Sequence, residues 1–152
     1  MTKPQARRLN ARQARKVTQE QAKRILEKAK GINQAKALLE THPRIVCTHL
    51  SKKAIEGNQQ ALTQLTTIAT KHKNPQTQQK ATIEIGYTAR NGKNPEITKQ
   101  SLQELTQIAN KHPNPQTQKH ATKWIGITAR NGKNPETREQ AKKILKELEA
   151  RK

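Results

Sequence analysis

The sequence predicts an all-α fold, a right-handed α-solenoid of stacked helix pairs that repeats every forty residues. Asn-Pro pairs stand twenty residues apart, at Asn74-Pro75, Asn94-Pro95, Asn114-Pro115 and Asn134-Pro135. The block LTQLTTIATKHKNPQTQQKATIEIGYTARNGKNPE, from Leu62 to Glu96, returns as LQELTQIANKHPNPQTQKHATKWIGITARNGKNPE, from Leu102 to Glu136. Apolar residues recur at three- and four-residue steps, as in Ile97, Leu102, Leu105, Ile108 and Ala109, and no stretch reads as a strand.

Each Asn-Pro pair is a helix start. The Asn side chain accepts a backbone N–H that the first turn leaves orphaned, and Pro at the next position has no N–H to orphan. Asn91-Gly92 and Asn131-Gly132 are the matching stops, expected to take left-handed φ, and Arg90 and Arg130 place a cation in the last turn, where the helix dipole favours it. Helices are predicted near 75–90, 95–111, 115–130 and 135–150, with short connections of the kind that join antiparallel neighbours. In the 75–90 segment Ala81, Ile85 and Ala89 share one face while Ile83 and Tyr87 share another, a pattern for a helix packed between neighbours. Gly86 and Gly126 recur mid-helix, where Gly costs about 1 kcal/mol against Ala, so both are expected at close helix approaches.

The units before Leu62 are degenerate. Pro43 opens a helix that carries Ile45, Val46, Leu50, Ala54 and Ile55 and stops at Gly57, after which Asn58 caps a segment with Leu62, Leu65 and Ile68. Upstream, Thr18 and Gln21 have capping-box spacing, Val17 and Ala22 suit a hydrophobic staple, Gly31 closes that helix, and Asn33 to Glu40 forms a short one. Atypical terminal units are what a helical stack needs as a cap against water. One domain is predicted over 17–152, preceded by an arm over 1–16.

NPQTQQKATIEIG (Asn74 to Gly86) and NPQTQKHATKWIG (Asn114 to Gly126) resemble the HEAT-like repeats of the phycobilisome-lyase type, in which an acidic or Asn residue and Pro precede a basic residue, an Ala and a Leu-Gly pair. The matching positions are Asn74, Pro75, Ala81, Ile85 and Gly86, then Asn114, Pro115, Ala121, Ile125 and Gly126. The resemblance spans roughly residues 43–150 and implies HEAT/armadillo-like helix pairs, which a forty-residue unit also suits. The chain departs from the pattern at Thr77-Gln78 and Thr117-Gln118, where the family carries valine and then a basic residue. The family implies a fold and not a function.

Charge sets the class of partner. Thirty-one Lys and Arg face eleven acidic residues, a formal charge of +20 on 152 residues, and self-repulsion on that scale calls for a polyanion. Every acid is Glu; there is no Asp. HEAT-like helices commonly begin with Asp-Pro, so Asn at 74, 94, 114 and 134 keeps the cap and removes a phosphate-repelling carboxylate. Alternate loops lie at the same end of such a stack, so Arg90, Lys93, Arg130 and Lys133 are expected to form one basic edge. Lys71, His72, Lys73, Lys111 and His112 form the other. The arm adds Lys3, Arg7, Arg8, Arg12, Arg15 and Lys16 with no acid, a composition suited to phosphate contacts that order on binding. Its apolar run is too short for a signal peptide. It shares the Arg-rich, acid-free character of an organelle transit peptide but almost lacks Ser. No stretch is apolar for long enough to cross a membrane.

The remaining reactive residues read as structural. Lacking Asp, and with one Trp, one Tyr and no Phe, the chain does not carry the catalytic Asp and aromatic cleft that HEAT-like DNA glycosylases rely on. Trp124 is expected in the core. Tyr87 is balanced between core and surface, because its counterpart is Ile127. Cys47 stands alone in an apolar stretch, a small hydrophobe. His72 and His112, at equivalent places near helix ends, suit caps or phosphate contacts, and no zinc framework, Gly-rich phosphate loop or Ser-His-acid set is present.

The expectation is therefore a non-enzymatic, cofactor-free protein that binds nucleic acid through its backbone with little base readout. Duplex DNA is preferred over RNA, the location is cytoplasmic within a nucleoid or larger nucleoprotein assembly, and no membrane is involved. The binding residues are Arg7, Arg8, Arg12, Arg15, Lys16, Arg90, Lys93, Arg130 and Lys133, with Lys71, Lys73 and Lys111 on the second edge. The alternative is a HEAT-like adaptor that grips an acidic protein partner.

Overall fold

The computed structural model describes residues 17–28 and 33–151, and among these every regular element is an α-helix. In chain order they are α1 (Gln19–Lys28), α2 (Asn33–Leu38), α3 (Pro43–Ile55), α4 (Gln59–Lys71), α5 (Pro75–Asn91), α6 (Pro95–Lys111), α7 (Pro115–Asn131) and α8 (Pro135–Ala150). The last four begin where the Asn-Pro pairs predict. Asn74, Asn94 and Asn114 each accept two backbone N–H groups of the first turn, and Asn134 accepts that of Thr137. Asn58 does the same for α4, taking the Ala61 N–H at 3.0 Å. Each such cap contributes about 1 kcal/mol. The capping box of α1 is reciprocal: the Thr18 N–H donates to Gln21 Oε1 at 2.9 Å and the Gln21 N–H to Thr18 Oγ1 at 3.2 Å. The expected stop at Gly31 lies outside the described residues. Helix α2 ends before Leu39 and Glu40, which form a turn.

The stops at Gly92 and Gly132 work differently from expectation. Their φ values are −52° and −57°, not left-handed; the positive φ belongs to Gly57, at 113°. What demands glycine at 92 and 132 is space, since an added Cβ would lie 2.9 Å from the Thr88 carbonyl oxygen and 2.7 Å from that of Thr128. The chain turns so tightly over the helix end that its own last carbonyl excludes a side chain.

The helices pack in two layers. Helices α3, α5 and α7 pack in succession, while α4, α6 and α8 lie against them and touch one another more sparsely. The core runs between the layers through Leu50, Leu62, Leu65, Ile85, Ile97, Leu102, Leu105 and Ile125, all fully buried, with Ala61, Ala81, Ala89, Ala121 and Ala141 letting the backbones close up. Backbone bonds tie each tight turn to an earlier helix: the Lys93 N–H donates to the Ile55 carbonyl and the Lys133 N–H to that of Arg90, both at 2.9 Å. Side chains brace the turns that precede α5, α7 and α8. Gln78 Nε2 donates to the His72 carbonyl and Gln118 Nε2 to that of His112, each at 2.6 Å, and Arg138 makes the equivalent bond to Gly132 at 2.9 Å.

Gly86 makes room for a side chain of the next helix in its layer. A Cβ there would fall 2.4 Å from Cγ of Trp124, whose ring lies across α5 and is buried, as expected of a core residue. Gly126 is different. Its Cβ would meet only the Arg130 guanidinium at 3.5 Å, because no later helix brings an indole to α7. The close approach expected at both glycines exists at one. Overpacking costs about 1–3 kcal/mol, whereas Ala in an open helical site gains up to about 1 kcal/mol. Urea denaturation of Gly86→Ala is therefore expected to show a loss of about 1–3 kcal/mol, and Gly126→Ala no loss or a small gain.

Candidate nucleic-acid interface

Charge is divided between the layers. Helices α3, α5 and α7 carry Arg44, Lys52, Lys53, Lys80, Arg90, Lys119, Lys123 and Arg130. Their single acid, Glu84, is only 5% exposed and is answered by Lys80 Nζ at 2.8 Å. In the other layer α6 and α8 hold six cations (Lys99, Lys111, Arg138, Lys142, Lys143, Lys146) against six glutamates (Glu96, Glu104, Glu136, Glu139, Glu147, Glu149). With Lys71 of α4 the second layer holds seven cations against six glutamates; the first holds eight against one.

Helical period puts that excess on one surface. In α5 the residues that are not buried after the first turn are Gln78, Gln79, Lys80, Ile83, Tyr87, Arg90 and Asn91, and in α7 they include Lys119, His120, Lys123, Ile127 and Arg130. Steps of three and four residues make each set a single stripe. Neighbours and the second layer cover the rest of the helix. Tyr87 is the exposed large hydrophobic side chain of this surface, 40% accessible, and its ring lies 4.7 Å from that of Trp124 at a tilt of 47°. It is thus held by the core and presented outward. Sequence reasoning missed Arg44, Lys52, Lys80, Lys119 and Lys123; the near absence of acids from 43–55, 75–91 and 115–131 is the signal that finds them.

The predicted edges are placed as follows. Lys93 and Lys133 border a common recess of about 400 Å³, with Asn91, Gly92, Asn134 and Pro135. Arg90 and Arg130 end the stripes of α5 and α7 at that same end of the stack. This edge also holds acids. Glu56 lies 3.0 Å from Lys93, in a pair whose two side chains are more than half exposed, and Glu96 and Glu136 occupy the first turns of α6 and α8. Lys71, Lys73 and Lys111 are exposed at the opposite end, about 25 Å away along a seventeen-residue helix. Arg7, Arg8, Arg12, Arg15 and Lys16 lie outside the described residues.

The two equivalent histidines are occupied internally. His112 is buried, its Nδ1 accepts the Asn114 N–H at 3.0 Å, and its Nε2 reaches the Ala69 carbonyl at 2.9 Å. An Nδ1 that accepts leaves the ring proton on Nε2, which donates. His72 accepts from the Asn74 N–H in the same way, and its Nε2 stands 3.2 Å from a Glu40 carboxylate oxygen without hydrogen-bond alignment. Cys47 is fully buried, and burial, then the nearby Glu84, push its thiol up to about 12. Among the described residues no group of three or more His, Cys or Glu side chains stands as a metal site, and no helix is long and apolar enough to cross a membrane.

His49 reports the local field. Burial, then Lys53 and Lys52, hold its pKa below the ordinary 6.5, with Glu27 opposing. The folded state therefore binds this proton less readily than the unfolded chain, so its share of stability is full above pH 6.5 and is lost as pH falls toward the depressed value. Stability measured by urea denaturation is expected to fall between pH 7.5 and pH 5.5, and His49→Gln to flatten part of that fall. Profiles that superimpose would contradict this sign.

Comparison of the chain with protein-family models, with curated proteins and with solved structures gave no match.

Proposed function

We propose that this chain is a non-enzymatic nucleic-acid-binding protein that grips the phosphate backbone with the exposed surface of α3, α5 and α7. The observation that carries this reading is the charge partition: eight cations and no exposed acid on one layer, six of each sign on α6 and α8. A cation row needed only for solubility would be interspersed with acids, as the second layer is. The helix pairs are read as HEAT-like units of a right-handed solenoid, with α3, α5 and α7 as the inner layer because they approach one another more closely than their partners do. Duplex DNA is preferred over RNA, since rigid helices present the cations at regular steps and only one exposed aromatic offers a stacking surface. The protein would work in a cytoplasmic nucleoprotein assembly, with the arm over 1–16 adding phosphate contacts.

The adaptor reading has one observation in its favour. Leu39, Thr63, Gln64, Thr67 and Ile68 border a recess of about 580 Å³, and the buried Gln64 has an Oε1 with no hydrogen-bond partner. That recess lies beside α2 and α4, away from the cationic stripes.

Binding of duplex DNA, single-stranded DNA and RNA of one mixed sequence, titrated with salt, separates the readings. If about six phosphates are neutralised, the log–log slope on duplex DNA is near −5. Replacing Lys119 and Lys123 by Ala is expected to weaken every sequence alike and to shrink the slope by about two units. The same change at Lys99, Lys142 and Lys143 on the balanced layer is expected to leave it unchanged. Affinity indifferent to salt, or polyglutamate competing as well as DNA, would establish the adaptor instead.

A further inference from the structure

The cationic surface has a cleft at its α1 end. A cleft of about 330 Å³ lies between α1 and α3, with Lys80 of α5 at its border. Ile55 and Arg90 hold equivalent places, each offering its carbonyl to the N–H of a following loop. In that register Lys52 stands where α5 has Tyr87, and Thr48 where it has Ile83. The cleft therefore opens on the same surface as the stripes.

Its lining joins an apolar floor to unanswered positive charge. Leu26 is buried and Ile45 half-buried beneath, while Lys23, Arg44 and Lys52 stand around them. The charge of Lys80 is consumed by Glu84, and Lys23 lies 3.7 Å from an exposed Glu20, a pair of little worth. Arg44 and Lys52 make no ion pair among the described residues, and the one acid lining the cleft is Glu27. They are eight residues apart on one helix face, about 12 Å along its axis, a separation that two long side chains can close around one phosphate.

We propose that this cleft binds a nucleoside phosphomonoester, the phosphate between Arg44 and Lys52 with Thr48 as a hydroxyl donor, and the nucleoside against Leu26 and Ile45. A monoester carries about −1.5 to −2 charges at pH 7, against one for an internal diester, so a cluster of unpaired cations favours a strand terminus over the middle of a strand. The strand-end source rests on the function proposed above. The free-nucleotide source does not.

Calorimetric titration of the full chain at constant ionic strength tests the site, with adenosine monophosphate, adenosine and inorganic phosphate as separate probes. The monophosphate is expected to bind saturably and at least tenfold more tightly than either fragment. The double variant Arg44→Ala/Lys52→Ala is expected to weaken it at least tenfold, with Lys99→Ala/Lys142→Ala as the control that does not. Both positions in the double variant are exposed, and circular dichroism checks that its helices persist. A single-stranded oligonucleotide with and without a 5′-phosphate then identifies the source. A gain of fivefold or more that vanishes in the double variant assigns the cleft to strand ends, and binding of the monophosphate without that gain assigns it to a free nucleotide. A monophosphate that binds no better than adenosine, or equally well to the double variant, overturns the proposal. Loss of all oligonucleotide binding with the monophosphate still bound would instead overturn the wider function and leave the cleft standing.

Discussion

Everything on the surface of this protein depends on where its helices begin. An Asn side chain that accepts first-turn N–H groups, followed by a Pro with no N–H of its own, starts a helix at one residue and not its neighbours. A shift of one residue would rotate every side chain of a helix by about 100°, carrying Lys123 toward the core and Ile125 toward water. The caps do not act alone. Gln78, Gln118 and Arg138 hold the preceding turn by its carbonyl, and the Lys93 and Lys133 amides hold the same class of turn to an earlier helix. At the turn before α8 both kinds of contact meet, the Arg138 guanidinium on the Gly132 carbonyl and the Lys133 amide on that of Arg90.

Those contacts matter more here because the core is modest. It contains no Phe, and its bulk comes from Leu, Ile and Ala with one buried Trp. Small residues compensate by proximity: Gly86 admits the Trp124 ring to the surface of α5, and Tyr87 then leans on that ring from the solvent side. The same arrangement links packing to surface chemistry, since the one exposed aromatic of the cationic surface rests on the indole that Gly86 admits. Self-repulsion among the unpaired cations weakens such a structure, and a polyanion on that surface relieves it.

Helix starts, helix lengths and the identity of the buried stripe were legible in the sequence, because caps and apolar period are local signals. What was not legible depended on neighbours. Glu84 reads as an ordinary surface acid in the sequence, and only its burial beneath Lys80 leaves α5 without an exposed carboxylate. His72 and His112 read as caps or phosphate contacts and both stand at helix C-caps, but the sequence does not show that His112 spans to the Ala69 carbonyl forty-three residues earlier. Gly86 and Gly126 are indistinguishable by sequence and differ only in whether a later helix supplies an indole. The edge cations drew notice because they repeat; apart from Arg90 and Arg130, the helix cations of the α3–α5–α7 layer do not repeat position by position, and become one surface only when the layers are known. Loop charge was also easy to overvalue, since Glu56, Glu96 and Glu136 sit at the same end as Lys93 and Lys133.

Lysine footprinting addresses the claim that one layer meets the nucleic acid. Acetylation of the full chain, free and saturated with duplex DNA, followed by mass spectrometry, reports the accessibility of each amine under both conditions. The account predicts that Lys52, Lys119 and Lys123 lose reactivity on binding while Lys99, Lys142 and Lys143 keep theirs. Equal protection of both groups, or protection of the α6 and α8 lysines alone, would contradict it.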